Sequence, residues 1–318
     1  MKHALSSSIR DIGVLGVACM AVSCEPEQTL HVTNVEDGGS GSLRAAIATL
    51  NADPESHYRI ELPPGAIDLT LCGRDDSNAA GDLDLTSLGR VTIVGAGTII
   101  QQRCAGERVL DARSPSLTLA NVGITGGTLT GTGTLMGGGV RADGDVTLVQ
   151  AQITNNAVTA TPAECDDRTS CDRAAYGGGL YVGGNFSATR SEIYGNSARG
   201  ADSVRTPDAS QPEPAGGAYG GGVYVVGSLT IQGGAVGGNR AIGGKGATGF
   251  ASTGGGSKGG DAHGGGVAQP LDGAALVQLQ GVDVSYNTAQ AGSSADDVIT
   301  ETGAVLGSGG AARGGALA

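Results

Sequence analysis

A triplet of glycines followed by an aliphatic residue constrains this chain more than any other feature. It occurs as Gly137-Gly138-Gly139-Val140, Gly177-Gly178-Gly179-Leu180, Gly220-Gly221-Gly222-Val223 and Gly264-Gly265-Gly266-Val267. A fifth start, Gly314-Gly315-Ala316-Leu317, follows. The four triplets stand 40, 43 and 44 residues apart, which rules out a helical repeat of fixed length. The distance to an asparagine is more regular. Asn156, Asn196 and Asn239 each lie 17 residues after the third glycine of their triplet, and Asn287 lies 21 after its own. A constant Gly-to-Asn distance beside a variable Asn-to-Gly distance divides each unit into one structural coil and one insertion at a single corner.

Inside the constant part, apolar and polar residues alternate, as in Val146-Thr147-Leu148-Val149-Gln150 and Leu229-Thr230-Ile231-Gln232. Period-two alternation predicts short strands with one inward face. A coil of about 20 residues cannot bury that face alone and must stack on its neighbours. The composition agrees, because 59 Gly, 2 Phe and no Trp leave no aromatic core. Hydrophobic residues still make up 39% of the chain, more than a disordered chain carries. Gly supplies corners with positive φ, and the recurring Asn is expected to take the left-handed region and to stack into a ladder. The same alternation upstream, in Asp82-Leu83-Asp84-Leu85-Thr86, Val91-Thr92-Ile93-Val94 and Leu117-Thr118-Leu119, starts the stack near Tyr58. The expected fold class is all-β, a parallel β-helix over 58–318. Residues 24–57 read as a tether and N-terminal cap, because Leu43, Ile47 and Leu50 lie at helical spacing behind Ser40 or Ser42.

The run from Val32-Thr33-Asn34-Val35 through Gly38-Gly39-Ser40-Gly41-Ser42-Leu43-Arg44-Ala45-Ala46-Ile47 carries a resemblance, together with Gly81-Asp82-Leu83-Asp84-Leu85-Thr86 and the glycine units closing on Asn. The set resembles the bacterial β-helix surface proteins related to the chlamydial polymorphic outer membrane proteins. The resemblance covers nearly the whole chain after residue 23. It implies a right-handed parallel β-helix at the cell surface or secreted, with adhesion as a role. The Phe-x-x-Asn element of the chlamydial proteins is absent, and no β-barrel sequence follows, which assigns anchoring to the N-terminus.

That N-terminus reads as an export signal over 1–23: Lys2 and Arg10 precede a mostly apolar run, Ile12 to Val22, too short to span a bilayer. Ala21-Val22-Ser23-Cys24 resembles a lipoprotein box, so Cys24 is the expected lipidation site and a membrane the expected partner through that anchor. The localisation is an outer-membrane or cell-surface lipoprotein, or a secreted protein. Four further cysteines form an even set, with Cys165 and Cys171 closing a short loop and Cys72 left to Cys104. Neither loop has the extra His or Cys of a metal site.

Net charge is −12, with no basic run, which argues against nucleic acid as a partner. The residues offer little chemistry. Asp75, Asp76, Asp82, Asp84 and Asp111 are the acids worth weighing, and Asp82 with Asp84 form a weak Ca²⁺ candidate. They share the strand face opposite Leu83 and Leu85, expected to be solvated. Tyr181 and Tyr224 occupy equivalent places and are expected to form a packing ladder, whereas His31, His57 and His263 stand isolated. Segments 157–176, 197–219, 240–263 and 288–313 read as loops gathered along one face. The expected function is a non-enzymatic scaffold without cofactor, adhesive or displaying through these loops toward a surface glycan or protein. The rival is a Ca²⁺-dependent polysaccharide lyase or related glycan-degrading β-helix enzyme.

Overall fold

The computed structural model describes residues 27–162, 173–204, 214–247, 257–270, 275–294 and 309–318. These residues are nearly all β, with one helix at Leu43–Ala52. Every strand pairing is parallel, and the strands fall into sheets of eleven, six, five and five. The chain visits the sheets in a fixed order. One unit runs from Val140–Ala142 in the six-stranded sheet to Asp145–Val149 and Gln152–Thr154 in the long sheet. It then passes through Ala157–Ala160 in one short sheet and Ala175–Tyr176 in the other, and Leu180–Val182 begins the next unit.

Register converts the alternation into stacked rows. In the long sheet Val91, Leu117, Val146, Phe186 and Leu229 align across successive strands, all fully buried. In the six-stranded sheet Leu83, Leu110, Val140, Leu180, Val223 and Val267 do the same. These rows form one continuous core in which branched side chains replace the missing aromatics. The long sheet starts earlier than Tyr58. Glu27–His31 pairs in parallel with His57–Glu61, within the segment read as tether and cap. The helix covers this end by burying Leu43, Ile47 and Leu50, and the Ser42 side chain accepts the Ala45 N–H at its N-terminus.

The four asparagines form a buried ladder. The Asn156 backbone N–H and side-chain amide both donate to Asn196 Oδ1, at 3.0 and 3.1 Å. Asn196 donates in the same way to Asn239 Oδ1, and Asn239 to Asn287 Oδ1. Each amide also reaches back to a main-chain carbonyl of the preceding unit: Ile124, Ile153, Ile193 and Val236. The expectation that these asparagines occupy the left-handed region is corrected. Positive φ falls on the residue just before each one, Asn155, Gly195, Gly238 and Tyr286, at 54°, 69°, 63° and 56°. The preceding residue makes the corner, and the asparagine is free to turn its amide along the stack. The first glycine of each triplet makes a second corner, with φ between 52° and 68° at Gly137, Gly177, Gly220, Gly264 and Gly314.

The segments read as loops are corrected as well. Each begins and ends in a strand, Ser197–Arg199 and Ala218–Tyr219 in one unit, Arg240–Ile242 and Ala262–His263 in the next. These short strands build the two five-stranded sheets, which meet over a second core of Leu129, Val158, Ala175, Ala198, Ala218, Ala241 and Ala262. Alanine supplies most of this core, with Val158 and Leu129 at its N-terminal end. A strand showing only one Ala to the core gives no hydrophobic alternation in sequence, which is why it read as filler.

Replacing Asn196 by Ala strips the Asn156 N–H and the Ile153 carbonyl of their partners inside the core. At about 1–3 kcal/mol for each orphaned group, the expected loss is about 2–6 kcal/mol. Asn287→Ala, at the half-buried end of the ladder, should cost clearly less. Urea midpoints of the two variants check the order; equal losses would mean that the ladder carries no inward gradient.

Candidate functional site

Two places gather polar or inserted residues, and they lie on different parts of the stack. The first is acidic. Asp84 sits mid-strand in Leu83–Leu85, and Asp111 occupies the matching position of Leu110–Ala112, directly opposite in register. Asp82 immediately precedes the first of these strands. Alternation sends Leu83 and Leu85 into the core and the aspartates to the other face, as the sequence indicates. That face is not solvated, however: Asp82, Asp84 and Asp111 are 8%, 3% and 5% exposed.

The cover is built by the chain before the strand. Arg44, buried on the cap helix, bonds Asp37 at 3.0 and 2.8 Å and donates to the carbonyls of Gly81 and Asp82. Asp37 also accepts the Thr70 and Leu71 N–H groups, fixing where the chain leaves the sheet. The segment then folds over the aspartates. Asp75 accepts the Ser77, Ala79 and Ala80 N–H groups, and the Asn78 N–H donates to Asp84 Oδ2 at 3.1 Å. A disulfide between Cys72 and Cys104 ties this cover to the neighbouring unit. Sequence alternation could not reveal a lid supplied by residues 37–80.

Under the lid, one carboxylate oxygen from each of Asp82, Asp84 and Asp111 lies within 4.8 Å of the others. Arg108 bridges two of them, Nε to Asp82 Oδ2 at 3.2 Å and Nη1 to Asp111 Oδ2 at 3.5 Å. Arg141, one strand further along, approaches Asp111 Oδ2 at 3.5 Å and pairs with Asp143 at 2.9 Å. Burial pushes the Asp82 carboxyl up to about 7, against Arg108 and with help from Asp84 and Asp111. Burial likewise raises Asp84 to about 6, against the Asn78 N–H. Glu107 is also raised by burial. Asp82, Glu107, Arg108, Asp111 and Arg74 line a cavity of about 340 Å³. The sequence named the aspartates but missed Glu107, Arg108 and Arg141, because nothing in Gly106-Glu107-Arg108 distinguishes it from surface charge. The structure thus gathers these acids, and the cations that face them are arginines, not lysines.

Aromatic residues occupy the junction between the six-stranded sheet and a short sheet. Tyr181 and Tyr224 stack with centroids 5.7 Å apart, and Tyr176 stacks on Tyr219 at 4.9 Å. Tyr176 also meets Tyr224 edge-on at 4.9 Å, so the four rings pack on one another. His263 is not isolated. It lies 4% exposed, edge-on to Tyr219 at 5.2 Å, because its strand pairs with that of Tyr219. Burial pushes its imidazole below the usual histidine value.

The second place is the insertion face. All four insertions leave after a strand of one short sheet and return into a strand of the other. Their bases are locked by a zigzag of main-chain bonds between outgoing and returning limbs. Gly216 donates to the Ala201 carbonyl, Gly244 to Gly216, Gly260 to Gly244, Gly292 to Gly260 and Gly310 to Gly292, all at 2.8–3.0 Å. A Cβ on Gly244, Gly260 or Gly292 would overlap the carbonyl oxygen of Ala201, Gly216 or Gly244 respectively. The sequence places Gly243-Gly244 and Gly259-Gly260 in a loop, yet their lack of a side chain is what lets the limbs touch.

Cys24, the segment 1–23 read as an export signal, and the pair Cys165 and Cys171 lie outside the described residues. Among the described residues, no helix is long and apolar enough to cross a membrane. Comparison with known protein families, curated proteins and solved structures finds no match for this chain.

Two expectations follow for the acidic cluster. Because burial raises Asp82 and Asp84 above an unfolded value near 3.9, the folded state holds more protons between about pH 4 and 7. Their contribution to stability is therefore present at low pH and lost as pH rises through that window. In EDTA, the wild-type urea midpoint should fall more steeply from pH 4.5 to 7.5 than that of Asp82→Asn; parallel slopes would contradict the assignment. Removing the lid's crosslink with Cys72→Ser and Cys104→Ser should cost about 2–4 kcal/mol, measured as the difference in unfolding free energy.

Proposed function

We propose that the chain is a right-handed parallel β-helix serving as an exported surface scaffold, and that it acts by contact through its insertion face. The right hand follows from the rule that parallel crossovers within one sheet turn that way in almost every known case. The resemblance to β-helix surface proteins rests on the motifs quoted above and points the same way. The observation that carries the functional reading is the alignment of every insertion between the same two sheets, with each base locked to its neighbours by the glycine zigzag. A rigid stack that holds a row of insertions in register suits many weak contacts acting together on an extended surface glycan or protein. Export, with a lipid at Cys24 or release as a secreted protein, belongs to the same reading.

Shortening 205–213 and 248–256 while leaving the zigzag glycines intact tests it. The β-sheet circular dichroism should persist while attachment of the protein to cells or matrix falls several-fold. Attachment unchanged by both deletions would defeat the contact reading. A second reading, a Ca²⁺-dependent polysaccharide lyase, is favoured by the buried acids beside Arg108 and Arg141. It requires release of unsaturated products from pectin or alginate, abolished by Asp82→Ala with Asp84→Ala.

A further inference from the structure

The acidic cluster has an imbalance that its arginines do not correct. Three carboxylates converge, but Arg108 is shared between Asp82 and Asp111, and Arg141 is shared between Asp111 and Asp143. Among the described residues, no Lys or Arg forms an ion pair with the carboxylate of Asp84, the most deeply buried of the three. A buried carboxylate without a cation is costly.

Two buried oxygens, one in the cluster and one in the lid over it, lack partners. Asp111 Oδ1 is buried and has no hydrogen-bond partner. Asn78 is 4% exposed and bonded to Asp84 through its backbone N–H, and its side-chain oxygen also has no partner. Buried acceptors of this kind are nearly always satisfied in folded proteins. Finding two beside three carboxylates calls for a group that only accepts lone pairs. A buried, all-protein set of oxygens favours Ca²⁺ over Mg²⁺, which gives up its waters reluctantly. Oxygens bound to one Ca²⁺ at about 2.3–2.6 Å lie at most about 4.6–5.2 Å apart. The carboxylate oxygens here lie within 4.8 Å of one another.

We propose that Asp82, Asp84 and Asp111 bind one divalent cation of Ca²⁺ size, with the side-chain oxygen of Asn78 as a further ligand, beneath the lid tied by Cys72–Cys104. The ion joins two consecutive strands of the six-stranded sheet to the lid that covers them, and so clamps the N-terminal end of the stack. The site stands whether the chain is a scaffold or a lyase, because it needs no substrate.

The test uses the full chain, stripped with EDTA and dialysed. Titration with CaCl₂ in a calorimeter should give a saturable signal with one equivalent bound, and the thermal midpoint should rise by several degrees at saturation. MgCl₂ should bind at least tenfold more weakly. Asp84→Asn, which keeps the shape and removes one charge, should abolish both Ca²⁺ responses while keeping the β-sheet signal. Should Asp84→Asn fail to fold, Asp111→Asn replaces it and should abolish the same responses. Absence of saturable Ca²⁺ binding to the wild type, or a Ca²⁺ response retained in the folded variant, overturns the proposal. Lyase assays on the same samples are independent: Ca²⁺ binding without product release leaves this site intact and removes only the lyase reading.

Discussion

The amide ladder of Asn156, Asn196, Asn239 and Asn287 is the interaction on which the repeat half of the molecule depends. Each of the first three amides accepts from the unit before it, donates to the unit after it, and holds a carbonyl of the preceding unit, so that the asparagine N–H of one unit finds a side-chain acceptor in the next. A turn of backbone between two sheets leaves donors and acceptors unpaired, and burying them unsatisfied would cost more than the adjacent aliphatic rows gain. One amide per unit settles that debt for three units at once. The amide lies 17 residues past the glycine triplet in three units and 21 in the fourth, and the ladder continues through all of them.

Upstream of Asn156 the ladder has no members, and its first amide oxygen accepts from the Gly127 N–H instead. The N-terminal units are held by other means: the Cys72–Cys104 disulfide, the buried Arg44–Asp37 pair and the arginines threaded among Asp82, Asp84 and Asp111. The stack therefore divides its labour. Repeated units use an identical bond in every copy, and the capped end uses individual polar crosslinks, each made once. The buried carboxylates gather at this end, whereas the repeat half buries His263 and Arg173 instead.

Legibility in the sequence follows the same division. Whatever repeats was readable: Val146 and Leu148 give an inward face, Gly137 a corner and Asn196 a fixed distance, each confirmed to the eye by its copies. What occurs once was not. Asp84 obeys the alternation and faces away from the core, but only the three-dimensional path of residues 37–80 covers it, and no local pattern encodes a cover drawn from elsewhere in the chain. His263 looked solitary because its contact with Tyr219 runs across units 44 residues apart. The short strands around Ala198 and Ala218 were hidden for a third reason. A core made mostly of alanine has no hydrophobic contrast, so secondary structure and filler share one composition.

That last point changes what glycine means in this chain. At Gly137 and its equivalents the residue is required by a positive φ, and at Gly244, Gly260 and Gly292 by a neighbouring carbonyl that occupies the space of a side chain. Glycine loses more backbone freedom on folding than other residues. The zigzag offsets that cost by giving each limb a main-chain bond to the opposite one, from Ala201 to Gly310 without a break. Segments that composition alone marks as flexible are thus anchored at their bases. Any contact made by the insertions is made from a fixed row, at a spacing set by the stack of units rather than by the insertions themselves.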